Sequence, residues 1–212
     1  MSQADIAVGH GDVGHGEHYE APPFSIPSKK LVMWLFIISD AVTFGAMLYG
    51  YGYLRNASSN WPTPFKFNPS IINVMIMTFV LITSSLTMLI GVRKAQAGDK
   101  SGGIKWTFLT VALGIIFAAL HIREWFGLFA EGVTMSSNPW GSHQFGAVFF
   151  SITGLHLTHV IGGVIALTVV ALGYKRGRYK AADLEVWGLY WHFVDLVWMF
   201  VVPLVYLLNV EK

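Results

Sequence analysis

The sequence has no cysteine among its 212 residues, which excludes thiolate metal sites, iron–sulfur clusters and disulfides and is silent about compartment. Charge is scarce as well. Only 12% of residues are Asp, Glu, Lys or Arg, where a soluble domain carries about 25%. The formal net charge of +2 is too small to argue for nucleic acid as a partner. The first 30 residues have neither the basic start nor the apolar core of a signal peptide, so they are expected to be retained. There is no inverted repeat and no pair of matching broken spans, features that a transporter built from one chain often shows.

Apolar surface is abundant: 54% of residues are hydrophobic, and the mean hydropathy is +0.53. This is the composition of an integral membrane protein with a short polar head. Residues 1–28 are rich in Gly, His, Asp, Glu and Pro and are expected to form a disordered, solvated tail. His10, His15 and His18 could catch a metal ion there, but nothing holds them in place. Residues 29–212 are expected to form the transmembrane domain. Five apolar runs, about 31–54, 70–92, 104–129, 145–173 and 184–208, each approach the roughly 20 residues that a bilayer demands. Short links make neighbours antiparallel, and the fold class expected is an all-α bundle of five transmembrane helices.

The basic residues set the orientation. Lys29, Lys30, Arg93, Lys94, Lys100, Lys105, Lys175, Arg176, Arg178 and Lys180 fall on the side of the N-terminus. Only Arg55, Lys66 and Lys212 flank the other side, with Arg123 inside a span. The positive-inside rule then makes the N-terminus cytoplasmic and the C-terminus external. Trp61, Trp106, Trp125, Trp140 and Trp187 lie near span ends, where interfacial anchors belong.

Against this apolar background the ionisable residues stand out. Such a group at a helix centre costs about 2.5–3.5 kcal/mol on insertion scales, so it must face protein, a cavity or water. Span five carries His192 and Asp195, three apart and so on one helical face, with Trp191 and Trp198 on a neighbouring face. Span four carries His156 and His159, together with Gly154, Thr158 and Gly162, the every-fourth-residue pattern of small side chains that lets helices approach closely. Span one carries Asp40. At a rise of 1.5 Å per residue, Asp40 lies roughly 14 Å from the cytoplasmic edge, and the other four fall in the same inner slab. Matched depth predicts that Asp40, His156, His159, His192 and Asp195 meet in one buried hydrogen-bonded cluster. In span three, His121, Arg123 and Glu124 come near the outer interface, where a charge can snorkel to water. Pro203 in span five removes one backbone bond and is expected to bend the outer half.

Several kinds of chemistry fit such a cluster. His156 or His159 with His192 could ligate haem or a metal. The carboxylates could relay protons, even as a channel. The plainest reading is polar glue between helices, or a docking face.

The residues Tyr190-Trp-His-Phe-Val-Asp-Leu-Val-Trp198, Thr153-Gly-Leu-His-Leu-Thr-His-Val-Ile-Gly162 and Phe36-Ile-Ile-Ser-Asp40 strongly resemble subunit III of haem–copper terminal oxidases. The Trp61-Pro link and the acidic turn at Glu124 and Trp125 fit as well, and the likeness runs from about Met33 to the C-terminus. The resemblance implies an accessory subunit of a respiratory oxidase in a bacterial plasma membrane, one that binds no haem or copper of its own. Haem and copper would reside in the partner subunits I and II, and phospholipid would bind this chain. It implies that Asp40, His156, His159, His192 and Asp195 are proton-related or structural positions. Glu124, Arg123, His121, Trp191 and Trp198 are then expected to touch lipid or a neighbouring subunit. No residue is expected to be catalytic.

Many members of that family have seven spans, and the two leading ones are missing here, which puts the family's lipid cleft in question. His121 stands where an uncharged polar residue is expected. The Trp61-Pro link favours a cytochrome c oxidase, whereas Asp40 and the His-bearing tail lean toward a quinol oxidase. An accessory protein of nitric oxide reductase is a weaker option within the family. The rival from outside it is an autonomous haem-binding or proton-conducting protein.

Overall fold

A computed structural model of the chain describes residues 27–211. Residues 1–26, with His10, His15 and His18, and residue 212 lie outside the described part. Five long helices account for the five apolar runs: α1 Ser28–Ala57, α2 Ile72–Gln96, α3 Lys100–Ala130, α4 Gln144–Lys175 and α5 Ala181–Val201. Each, with its flanking turns, is long and apolar enough to cross a membrane. Among the described residues the only strand-like pairing is a single parallel bridge between Phe65 and Val210. The architecture is thus the expected all-α bundle. Its helices outrun the apolar stretches, because polar residues such as Lys100 and Gln144 continue the backbone ladder where side chains can reach water.

Local chemistry explains where the helices stop. α2 ends at Gly98, whose φ of +86° is left-handed backbone that only glycine adopts at no steric cost. The Asp99 N–H then closes back onto the Lys94 carbonyl at 3.0 Å. Asp99 itself starts α3, its carboxylate accepting from the Gly102 N–H at 2.8 Å. At the other end of the chain Pro203 has the effect expected of it. α5 gives way at Val201 to one wide turn, Val202–Tyr206, and then a tight one, Leu207–Asn209.

Packing follows side-chain size. α2 and α3 are the closest pair because Gly91 faces Thr107 and Ala95 faces Gly103, so the backbones can approach. The stripe expected to do this, Gly154, Thr158 and Gly162, does not: Thr158 and Gly162 are exposed. The glycine of α4 that matters is Gly163, which together with Gly114 of α3 makes room for the Trp191 ring of α5. α1 lies at the edge against α5 and α4, with its most apolar window only 17% buried. Leu35, Ile38, Val42 and Tyr49 face outward from it.

Two sets of polar contacts fasten the ends of α1. On the N-terminal side Lys29 pairs with Asp183, and Lys30 with Glu185, each at 2.6 Å. On the other side Arg55 donates to the Asn209 side chain at 3.2 Å and to the Leu208 carbonyl at 2.7 Å. Asn209, wholly buried, also donates to the Tyr51 hydroxyl and to the Val205 carbonyl. Beside this clasp lies an aromatic floor in which Phe65 and Phe149 pack on each other and on both Phe145 and Tyr206, with ring centroids within 6.3 Å.

Candidate functional site

The intramembrane ionisable residues occupy three separate centres. The first joins α1 to α4. His159 Nε2 lies 2.9 Å from Asp40 Oδ2, and His159 Nδ1 lies 2.8 Å from the Leu155 carbonyl one turn back. Tyr190 of α5 donates its hydroxyl to the His159 carbonyl at 2.9 Å. Phe44 covers the imidazole edge-on at 5.4 Å. The pair is partly open to the outside of the bundle, the side chains being 15% and 17% exposed.

The second centre lies deeper in the bundle. His121 and His156 are wholly buried, and neither ring meets a hydrogen-bond partner among the described residues. Aromatic faces surround them instead. Trp198 stacks on His156 at 5.1 Å and meets His121 edge-on at 5.3 Å, and Phe117 closes on both. One turn outward from His121, Glu124 accepts from the Tyr206 hydroxyl at 2.9 Å. Glu124 also borders a recess of about 210 Å³ with Arg123, Asn73 and Glu131. The third centre joins α2 to α5, where the Ser85 hydroxyl and His192 Nδ1 lie 2.5 Å apart. Asp195, three residues on, is half-buried, with one carboxyl oxygen lacking a partner among the described residues.

The structure therefore brings Asp40 and His159 together and does not hydrogen-bond His156, His192 or Asp195 to them. The single cluster expected from matched depth is corrected to three centres. Depth fixes position along the membrane normal and not around the helix. Residues three apart on a helix differ by about 60° in direction. That is enough to point His159 at α1 and His156 at Trp198. A second correction concerns the expected lipid or subunit contacts. Trp191, Trp198 and His121 are fully enclosed by their own chain. The indole nitrogens are used inside it, Trp191 donating to Ser84 and Trp198 to Thr78, both at 3.0 Å. Only Arg123, exposed, and Glu124, partly so, reach an outer surface.

Three participants were missed in the sequence: Tyr190, Ser85 and Tyr206. Each is a hydroxyl on an apolar helix. The available signal was that a carboxylate or imidazole in oil needs a donor or acceptor at its own depth.

The donor set does not suit haem. Trp198 packs against both His121 and His156, while His159 is committed to Asp40 and His192 to Ser85. Among the described residues no three His, Asp or Glu side chains converge as a metal site.

The family model for cytochrome c oxidase subunit III matches residues 14–210. The chain belongs to this family. Cytochrome c oxidase subunit 3 of Corynebacterium diphtheriae is 32% identical over 199 residues, covering 91% of this chain and 94% of the relative. Quinol oxidase subunit 3 of Bacillus subtilis is 32% identical over 205 residues, covering 92% and 97%. Cytochrome c oxidase subunit 3 of Alkalihalophilus pseudofirmus is 30% identical over 200 residues, covering 93% and 95%. Membership of the subunit III family, with five membrane-spanning helices, makes the chain a multi-pass accessory subunit of a haem–copper oxidase complex. The resemblance carried by Tyr190–Trp198, Thr153–Gly162 and Asp40 is thereby confirmed.

Proposed function

We propose that this subunit III serves a bacterial cytochrome c oxidase as a non-redox, non-catalytic part. In this reading it packs on subunits I and II, which hold the haem and copper, in the plasma membrane. Its N-terminus, with residues 1–28 as a polar tail, is cytoplasmic and its C-terminus external, as the basic residues at one end of the bundle suggest. It steadies subunit I, supports proton uptake during oxygen reduction and binds phospholipid. A groove of about 730 Å³ between α1, α4 and α5 suits an acyl chain. Met33, Phe36, Val186 and Trp187 line it, and Lys29, paired with Asp183, stands at its rim. Arg123 and Glu124 are placed to meet lipid headgroups or a neighbouring subunit.

One observation carries this reading. The family match covers nearly the whole chain, and every intramembrane imidazole in it is taken up by a carboxylate, a hydroxyl or an aromatic wall. A quinol oxidase is the second reading, favoured by the Bacillus subtilis relative, whose identity equals that of the Corynebacterium diphtheriae protein.

Affinity purification through this chain from its native membrane tests the proposal. A haem-bearing partner carrying a copper-binding, donor-docking domain is the expected result; the same partner without that domain points to quinol. A chain that purifies alone and binds haem stoichiometrically would overturn the reading. In the complex, Asp40→Ala is expected to weaken assembly or to hasten loss of activity during sustained turnover, more than it lowers the initial rate. Wild-type durability in that variant would remove the role given to Asp40.

A further inference from the structure

We infer that the seam between α2 and α5 is where a transmembrane helix of the haem-bearing subunit docks, bringing a hydrogen-bond donor to Asp195 and an acceptor to Arg93. The inference rests on the accessory role proposed above and adds which face of the bundle carries it. On α2, Ser85 is half-buried and Ile82, Leu89 and Arg93, at helical spacing from it, are exposed. On α5, His192 and Asp195 are half-buried, and Leu196 and Met199 are exposed. The Ser85 hydroxyl and His192 Nδ1, 2.5 Å apart, join the two strips in the middle. Toward the N-terminal side the seam opens into a recess of about 260 Å³ walled by Leu89, Arg93, Gln96, Glu185, Leu189 and His192.

Asp195 is the carboxyl that this chain leaves short of a partner deep in a span. One of its oxygens has none among the described residues, and the Ser85 hydroxyl is held by His192. Asp40, by contrast, is answered by His159. Glu124 also has one unpartnered oxygen, but it borders a recess with Arg123 and Glu131 near the outer interface, where water can serve it. A carboxyl on an outer face within hydrocarbon must meet protein or water. Apolar faces gain little by meeting in lipid, so interhelical hydrogen bonds and close packing draw membrane helices together. Arg93 fixes the other end of the seam. No carboxylate pairs with it among the described residues, since Glu185 across the recess is taken by Lys30 and Gln96. At 1.5 Å per residue, about 12 Å of helix separates Arg93 from the level of Ser85. The docking helix therefore carries a carboxylate or free carbonyl at the membrane edge. Roughly eight residues deeper it carries a hydroxyl, amide or indole N–H. A phospholipid offers a phosphate to Arg93 but no donor at the depth of Asp195, which favours protein as the occupant. α3 makes the contrast: it turns Leu109, Ile115 and Ile116 outward, a face that acyl chains satisfy.

Site-directed photo-cross-linking in the native membrane tests the face directly. The photoreactive residue p-benzoylphenylalanine replaces Leu89 or Leu196 on the seam, and Ile115 on α3 as the control. The membranes are irradiated, the complex is purified and the adducts are read by mass spectrometry. The seam probes are expected to join the haem-bearing subunit, and the α3 probe to label lipid only. Asp195→Leu is expected to release this chain from the complex at a several-fold lower detergent concentration. Asp195→Asn, which keeps an acceptor oxygen, is expected to hold it as wild type does. Seam probes that label only lipid, a second copy of this chain or a subunit without haem would overturn the inference, whether or not the Asp195 variants fold. So would wild-type retention of Asp195→Leu. A haem-bearing subunit that co-purifies but is linked through α3 alone defeats the inference and leaves the proposed function standing. A complex with no haem-bearing subunit defeats both.

Discussion

The indole nitrogen of Trp191 donates to the Ser84 hydroxyl at 3.0 Å, tying the middle of α5 to α2. The ring reaches that position only because Gly114 and Gly163 leave space for it. A Cβ on Gly114 would lie 2.6 Å from the indole edge, and one on Gly163 would lie 2.9 Å from it. Gly114→Ala and Gly163→Ala are therefore expected to destabilise the chain by about 1–3 kcal/mol each, the usual cost of overpacking. Gly162→Ala is the control, since its Cβ would find only the Tyr190 hydroxyl at 3.8 Å. Thermal unfolding of the purified complex separates them: two lowered midpoints and one unchanged.

Tyr206 supplies Glu124 with its one hydrogen-bond donor among the described residues, at 2.9 Å. Tyr206→Phe keeps the ring in the aromatic floor and removes only the hydroxyl. The expected loss is about 1–3 kcal/mol, because a poorly exposed carboxyl is left without its partner. Adding Glu124→Leu should recover part of that loss, since no polar group then needs satisfying. A double-mutant cycle on thermal stability checks it, and strict additivity of the two changes would show that the contact is not used.

The predictions for Trp191 and Tyr206 concern residues whose partners could not be read from the sequence, and the reason is geometric. Each span was legible because about 20 apolar residues have few uses other than crossing a bilayer. Asp40 and His159 were legible as partners because both are costly in oil and lie at one depth. What depth cannot give is azimuth. His156 was grouped with His159 although the two point to different neighbours, and Trp191 and Trp198 were assigned to an outer surface although both fill the core. The same limit explains why the spacing of Gly154, Thr158 and Gly162 suggests a helix contact although Thr158 and Gly162 are exposed, while Gly91 and Gly103, which make the α2–α3 contact, lie near charged residues in the sequence.

Asn209 holds the far end of the bundle by joining Arg55, Tyr51 and Val205. Its side chain anchors the segment whose backbone forms the bridge to Phe65: the Phe65 N–H donates to the backbone carbonyl of Asn209 at 3.3 Å and the Glu211 N–H to the Phe65 carbonyl at 3.0 Å. Asn209→Ala leaves a buried tyrosine and an arginine short of a partner, a loss expected to cost about 1–3 kcal/mol. The opening should be local first. Amide exchange at Phe65 and Glu211 is expected to speed up while α2 and α3 keep their protection; uniform acceleration across the chain would contradict the clasp.

Asp99 offers a pH test outside the membrane spans. The Gly102 N–H donates to its carboxylate, and this bond, aided by nearby Lys94, holds the carboxyl below its ordinary range. A carboxyl whose folded value lies below the unfolded one stabilises the fold above the unfolded value, about 3.9 for Asp. That contribution is lost as pH falls through the lower, folded value. The start of α3 should therefore fray on acidification, as the acceptor of its first amides weakens on losing the negative charge that the helix N-terminus favours. Asp99→Asn keeps an oxygen that can accept from Gly102 but cannot titrate there. Amide exchange at Gly102 and Gly103, taken as the ratio of wild type to Asp99→Asn to cancel intrinsic pH effects, is expected to rise at acid pH and stay level near neutrality. A flat ratio throughout would mean that the carboxylate contributes nothing to holding the helix start.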